Sequence, residues 1–391
     1  MEDSLEDKQG MVPERLKETL ATAGFAFRGF DQTNIGKTPE LLAHQIYGPI
    51  VEKHLLEASA ISSDVLGHSV DLVSRVRDRR EPTLREYGEA IALIIAVEMA
   101  QLELLREYFD VDYSAAQMAI GYSLGEVAAL VASKVYNIEA VLTPLLALSD
   151  DMVAQADDVR MGIVFSRGPE MEFSAVERLC LEITNQGKGT IAISSYLSPN
   201  TVLVLGQRGT LDELKVAVKG RLAKGTNLKE NPHRWPPIHT RITRQKHIPD
   251  RAAVMMERMP GGFIAPQPNI LSCVTGEFSY TDINSREILA RWVDEPQRLW
   301  EVVDQTCSSG VELLVHVGPH PNIIPATMQR LSQNVQQQLA SKSWGGLGLR
   351  AVSRIVRRPW LASVMSSKSN LLRAPFIQEV ILEDWLLAQM P

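Results

Sequence analysis

The 391-residue sequence predicts an α/β fold: a central, mostly parallel sheet flanked by helices, with a small ferredoxin-like subdomain inserted. Three observations predict it. From Tyr87 to Lys134 the pattern runs helix, strand, tight turn, helix, the repeating unit of α/β architecture. From Met161 to Leu222 it runs strand, helix, strand, strand, helix, the order of a ferredoxin-like unit. Leu313-Leu314-Val315-His316-Val317 has the near-continuous apolar character of a strand covered on both faces, and it stops at Gly318-Pro319.

Each element follows from local composition. Residues 1–21 read as a polar leader. Phe25-Ala26-Phe27 forms a short apolar strand that ends in Arg28-Gly29. Tyr87 to Tyr108 carries Ala, Leu, Ile, Glu and Met with no Gly or Pro after Gly88, which favours helix. Met118-Ala119-Ile120 is a strand, and Glu126 to Lys134 the helix after it. In the insert, Met161 to Phe165 is a strand and Met171 to Ile183 a helix. Thr190 to Ser194 and Val202 to Leu205 are strands around a turn at Ser198-Pro199-Asn200, and Leu211 to Leu222 is a helix. Asn231 to Pro237 is Pro-rich and must be loop. The boundaries that result are an α/β core over 22–158 and 228–338, the small subdomain over 159–227, and a C-terminal extension over 339–391. From Ala340 to Gln378 that extension has seven basic residues and no acidic ones. Its end, Val380 to Leu387, is apolar enough to pack back onto the body.

Composition narrows the functional classes. A hydrophobic share of 45% and a charged share of 22% are ordinary for a globular chain. The formal net charge of -7 gives no general attraction for nucleic acid. No run of about 18 apolar residues occurs, so no transmembrane segment is expected. Met1 to Gly10 is polar and acidic, unlike a secretory signal. Cys180, Cys273 and Cys307 are too widely spaced for a metal site or a disulfide framework; free thiols in a reducing cytoplasm are expected.

The sharpest local signal is Gly121-Tyr122-Ser123-Leu124-Gly125, the G-x-S-x-G pattern of a nucleophile elbow, which makes the core hydrolase-like. A serine on a strained strand-to-helix turn needs small residues two positions away on either side so that the chain can pass. It also sits at a helix N-terminus, whose free N–H groups favour a developing anion. The Leu124 N–H points to where an oxyanion would form. Such a serine needs a base, because a free hydroxyl stays protonated at neutral pH. Eight histidines are available: His44, His54, His68, His233, His239, His247, His316 and His320. The residues alone leave that choice open.

Gly121-Tyr122-Ser123-Leu124-Gly125-Glu126 resembles the G-H-S-x-G-E motif of malonyl-CoA:acyl carrier protein transacylases and of polyketide synthase acyltransferase domains. Other segments resemble the family in the same order. They are Phe25 to Phe30 (the opening F-P-G-Q-G strand and loop), Ser198-Pro199-Asn200 (N-S-P), Ile238-His239-Thr240 (F-H-S), Glu295-Pro296-Gln297-Arg298 and Val315 to His320 (E-V-G-P-G). The likeness covers roughly residues 22 to 335.

The resemblance implies Ser123 as nucleophile and His239 as its general base. It implies an oxyanion hole of the Phe30 and Leu124 N–H groups, and a backbone carbonyl near Trp292 to orient the base. Tyr122, Leu148 and Ile238 would line the substrate pocket. No metal or bound cofactor is implied, because the substrates themselves carry coenzyme A or phosphopantetheine. An acyl carrier protein and an acyl-CoA are the implied partners.

Departures from the family pattern bear on the substrate. Tyr122 stands where the family has histidine, and the opening loop reads Phe30-Asp31-Gln32 without the family's glutamines. Leu148 stands 25 residues after the serine, where malonyl-specific members carry an arginine, and no Lys or Arg lies between Lys134 and Arg160. Leucine cannot pair a carboxylate, so a neutral acyl group is expected. Two rivals remain. One is an acyl hydrolase, which in its usual form would orient its base with an acid such as Asp150, Asp151, Asp157 or Asp158. The other is a non-catalytic relative that binds acyl carriers. The basic extension could steer an acidic carrier, touch anionic lipid through Arg357-Arg358-Pro359-Trp360, or be merely solvated.

Overall fold

The computed structural model describes residues 13–168, 170–343 and 359–390. Its core is a five-stranded, all-parallel sheet in the order β7-β2-β1-β8-β9, with β1 Ala23–Phe27, β2 Met118–Gly121, β7 Ile270–Leu271, β8 Leu313–Val317 and β9 Gln378–Ile381. Every residue of β1, β2 and β8 is buried, as strands covered on both faces require. One apolar cluster fills the face under the Gly48–Leu66 and Tyr87–Phe109 helices. A second fills the other face, under the Leu299–Ser308 and Ile323–Ser343 helices. Phe25 meets Ala119 on one side and Val315 on the other, which fixes the register at the centre.

The insert is a four-stranded antiparallel sheet in the order β4-β5-β3-β6. Its strands are β3 Val159–Ser166, β4 Ile191–Ser198, β5 Thr201–Gln207 and β6 Thr226–Asn231, with helices Phe173–Asn185 and Thr210–Arg221 between them. This is the ferredoxin-like arrangement, with its own apolar cluster between sheet and helices. The fourth strand was not legible: Thr-Asn-Leu-Lys-Glu-Asn has no apolar run and pairs only at the sheet edge, along β3. The limit expected at residue 227 falls inside it.

Two terminal readings change. Residues 1–12 lie outside the described residues, but Pro13–Glu18 is helical, and Leu16 is buried in the main cluster rather than part of a polar leader. The stretch read as a C-terminal extension supplies β9, paired in parallel with β8, and the Leu382–Ala388 helix. Leu382, Trp385 and Leu386 of that helix are buried, as its apolar character suggested. Of the seven basic residues, Lys368 pairs with Asp304, and Arg373 donates to the Cys307 and Val311 carbonyls. The side chains of the other five lie outside the described residues. The three cysteines are buried and unpaired. Among the described residues no helix is long and apolar enough to cross a membrane.

Glu383 fastens this end to the core. Its buried carboxyl accepts the Lys37 N–H and the His320 N–H, each at 2.8 Å, so it joins the segments that follow β1 and β8. Replacing it leaves two part-buried N–H donors without that acceptor. Glu383→Ala should therefore lower the unfolding free energy by about 2–4 kcal/mol, read from urea denaturation with an unchanged m-value.

Candidate active site

The site is built where β2 turns into the Leu124–Ala132 helix. Ser123, between them, has φ 55° and ψ -118°, a conformation that L-residues avoid. The flanking glycines are demanded by contact. A Cβ on Gly121 would lie 2.1 Å from the Gly125 carbonyl carbon, and one on Gly125 would lie 2.2 Å from the Phe27 oxygen. Gly29 is equally constrained: its Cβ would meet the Tyr122 oxygen at 2.6 Å. The elbow and the end of β1 therefore touch backbone to backbone.

The strained residue is held on both sides. Its N–H donates to Gln297 Oε1 at 3.2 Å, and its carbonyl accepts from the Trp292 indole Nε1 at 2.9 Å. Its Oγ lies 2.7 Å from His239 Nε2. Of the eight histidines, only His239 is brought to Ser123. His44 stacks on Tyr47, His54 pairs with Glu103 and His316 with Glu379. His239 also has a left-handed backbone, φ 63°, and its N–H donates to the Val293 carbonyl at 2.9 Å.

His239 Nδ1 lies 2.7 Å from the Trp292 carbonyl, which can only accept. The proton is therefore on Nδ1, and Nε2 is free to accept from the serine hydroxyl. Gln297 Nε2 lies 3.3 Å from the same Nδ1, but in this tautomer both are donors, so the contact is not a hydrogen bond. No aspartate takes the orienting place. Asp150 and Asp151 lie in the Ser149–Ala156 helix, where Asp151 pairs with Arg251, and Asp158 faces Arg208. Burial pushes the His239 imidazole down to about 4, against a smaller opposing effect from the Trp292 carbonyl.

The Phe30 and Leu124 N–H groups donate to no acceptor among the described residues. Leu124 is the first residue of its helix, where an unpaired N–H is normal. Phe30 is placed by ring contacts to Tyr87 and Trp235 and by Arg28 before it. The fully buried Arg28 guanidinium donates to the Gly29, Thr33 and Pro319 carbonyls and to Asn34 Oδ1. The Arg28 N–H is held by Glu98, whose carboxyl burial pushes well above the ordinary range. Glu126, from the motif itself, is also buried. It accepts from Ser272, the Cys273 N–H and Tyr280, and burial raises it to about 7.

Leu148 is buried and lines a cavity of about 40 Å³ with Val127, Met152, Met256, Met259 and Trp292. Tyr122 and Ile238 are not among its walls. Tyr122 instead packs on the opposite face of the sheet with its hydroxyl beside Ser195, and burial raises that hydroxyl to about 12. Ile238 packs in the main cluster.

Gln297, Arg28 and Glu98 were missed as site residues by sequence reasoning. Gln297 enters the resemblance only as one letter of Glu295-Pro296-Gln297-Arg298. Its neighbour Pro296 marks a break between helices, but burial of a glutamine leaves no trace in a single sequence.

The fold is shared with solved proteins. An acyl carrier protein S-malonyltransferase from Vibrio cholerae superposes with a TM-score of 0.62 at 22% identity, covering 78% of this chain and 92% of that one. The fold is that of the malonyl-CoA:acyl carrier protein transacylases. The same fold is seen in a malonyl-transacylase solved in complex with a type II polyketide synthase acyl carrier protein, with a TM-score of 0.58, 22% identity and coverage of 78% and 91%. It recurs in the acyltransferase domain from the second module of the salinomycin polyketide synthase, with a TM-score of 0.60, 17% identity and coverage of 78% and 65%. No family model and no curated protein matches the sequence. The transacylase fold thus agrees with the resemblance read from the motifs.

Two outcomes follow for Ser123. The depressed His239 value keeps the imidazole neutral far into acid. Labelling of Ser123 by a serine-reactive phosphonate should stay level from about pH 8 to about pH 5 and halve near pH 4, not near the ordinary histidine value. The matching stability contribution has the same sign. It is complete above pH 6.5, where the unfolded histidine is also neutral, and is lost as pH falls through about 4. Gln297→Leu removes the acceptor of the Ser123 N–H and should slow labelling by roughly 10- to 100-fold through misplacement of the hydroxyl.

Proposed function

We propose that the protein is an acyltransferase that moves an acyl group between thioester carriers through an acyl-Ser123 intermediate. The observation that carries this reading is the 2.7 Å approach of Ser123 Oγ to a His239 Nε2 left bare by the Nδ1 bond to the Trp292 carbonyl. Ser123 Oγ attacks the thioester carbonyl while Nε2 takes its proton. The carbonyl oxygen becomes an oxyanion held by the Phe30 and Leu124 N–H groups. The C–S bond then breaks, and the proton passes from His239 to the departing thiol. In the second half the incoming thiol gives its proton to His239 and collects the acyl group by the same path.

Coenzyme A and the phosphopantetheine arm of an acyl carrier protein are the proposed thiols. Support for the carrier comes from the fold shared with a transacylase solved bound to one. No bound cofactor or metal has a step in this scheme. A neutral acyl group is proposed because Leu148 sits in a wholly apolar cavity. The buried guanidinium of Arg28 already spends its donors on carbonyls and Asn34, and that of Arg75 is paired with Glu86 and Glu89. A carboxylate placed beside Leu148 would be desolvated without a partner.

Mixing the protein with acyl-CoA thioesters should add one acyl mass to Ser123, read by intact-protein mass spectrometry. The adduct should be cleared faster by a carrier thiol than by water. Ser123→Ala should lower adduct formation by at least about 10³-fold with the thermal unfolding midpoint nearly unchanged. An adduct that hydrolyses as fast with no thiol present would make the protein a hydrolase, and no adduct from any thioester would refute acyl transfer.

A further inference from the structure

Resting on the acyltransferase reading, we infer that the substrate is a straight-chain neutral acyl group of roughly four to eight carbons, its tail housed in the cavity beneath Trp292. Three properties of that cavity carry the inference. The first is continuity with the reacting atoms. Val127 lies one helical turn after Ser123 on the elbow helix. Trp292 and Val293, which also line the cavity, are the two residues whose carbonyls hold His239. The Trp292 indole also donates to the Ser123 carbonyl, so an acyl chain leaving the Ser123 ester along Trp292 and Val127 would run toward the cavity.

The second property is chemistry. Every lining side chain is apolar, with no hydrogen-bond donor directed in and no cation among them. A carboxylate or hydroxyl on the acyl chain would be stranded there, whereas each methylene leaves water.

The third property is size with plasticity. A volume of about 40 Å³ holds roughly three chain atoms, at the ~10–15 Å³ needed for one small group. Three of the walls are methionines, Met152, Met256 and Met259, whose unbranched side chains repack at little cost. The cavity can therefore lengthen by a few carbons but is backed by the close-packed main cluster, which sets an upper limit. A larger cleft, about 860 Å³, opens at the far end of the elbow helix around Val131 to Lys134. The helix residues Leu124 to Leu130, about 10 Å of rise, separate it from Ser123.

The test uses the full chain and a series of acetyl-, butanoyl-, hexanoyl-, octanoyl-, palmitoyl- and malonyl-CoA, with kcat/KM for acyl-Ser123 formation as readout. Hexanoyl-CoA should exceed acetyl-CoA by at least roughly tenfold, palmitoyl-CoA should fall back, and malonyl-CoA should not exceed acetyl-CoA. Met256→Trp, which fills the cavity, should cut the hexanoyl-to-acetyl ratio by roughly tenfold. Ala252→Leu fills it from another position and serves should the first variant fail to fold. A flat chain-length profile, or a ratio unmoved by both substitutions, overturns the inference while leaving acyl transfer standing. Preference for malonyl-CoA overturns both the inference and the neutral substrate. Failure of every thioester to load Ser123 overturns the acyltransferase reading itself.

Discussion

The left-handed backbone at Ser123 is the constraint on which the site depends. A residue in this conformation stores about 1–3 kcal/mol and keeps it only if its surroundings leave no alternative. Here the surroundings are backbone: the Phe27 oxygen against Gly125, Gly125 against Gly121, and the Tyr122 oxygen against Gly29. The two peptide groups of Ser123 are then tied off by Gln297 and the Trp292 indole. Little slack is left for the hydroxyl except the direction of His239.

A single short stretch, Trp292 to Gln297, organises the other half. Carbonyls 292 and 293 orient the imidazole and the backbone of His239, and the Gln297 side chain reaches Ser123. The Gln297 backbone does something different. Its N–H donates to Ser194 and its carbonyl accepts from the Tyr196 N–H and Ser195 Oγ, all on β4 of the inserted sheet. The insert is thereby hydrogen-bonded to the same peptide that steadies the serine. Placing the base required no buried carboxylate, which spares the site the cost of desolvating a second charge beside the imidazole.

Much of this was legible in the sequence because it was local. G-x-S-x-G with a strand before it and an Ala-rich helix after it specifies one turn, and the glycine contacts account for the spacing. The Tyr87–Phe109 helix and three of the insert's four strands, β3, β4 and β5, follow from composition. What was hidden was non-local. β7 is two residues long, and β6 is polar because only one of its edges is paired. β9 is short and half-exposed, and joins the sheet only through contacts with β8. The choice among eight histidines rested on resemblance, since nothing near His239 in the chain marks it. Gln297 and Arg28 do their work through burial, which hydrophobic patterning does not report for polar side chains. Tyr122, expected to line the substrate pocket, packs against the second apolar cluster with its hydroxyl beside Ser195.

The strand order also sets a schedule for assembly. The inserted sheet is built from consecutive residues 159–231, so its pairings close short loops, while β1 at 23–27 must find β8 at 313–317. Loop-closure entropy and contact order make the first kind of pairing quick and the second slow. Ser123 and His239 lie on either side of the insert in the chain. The unit that separates them can therefore form while they are still apart in space.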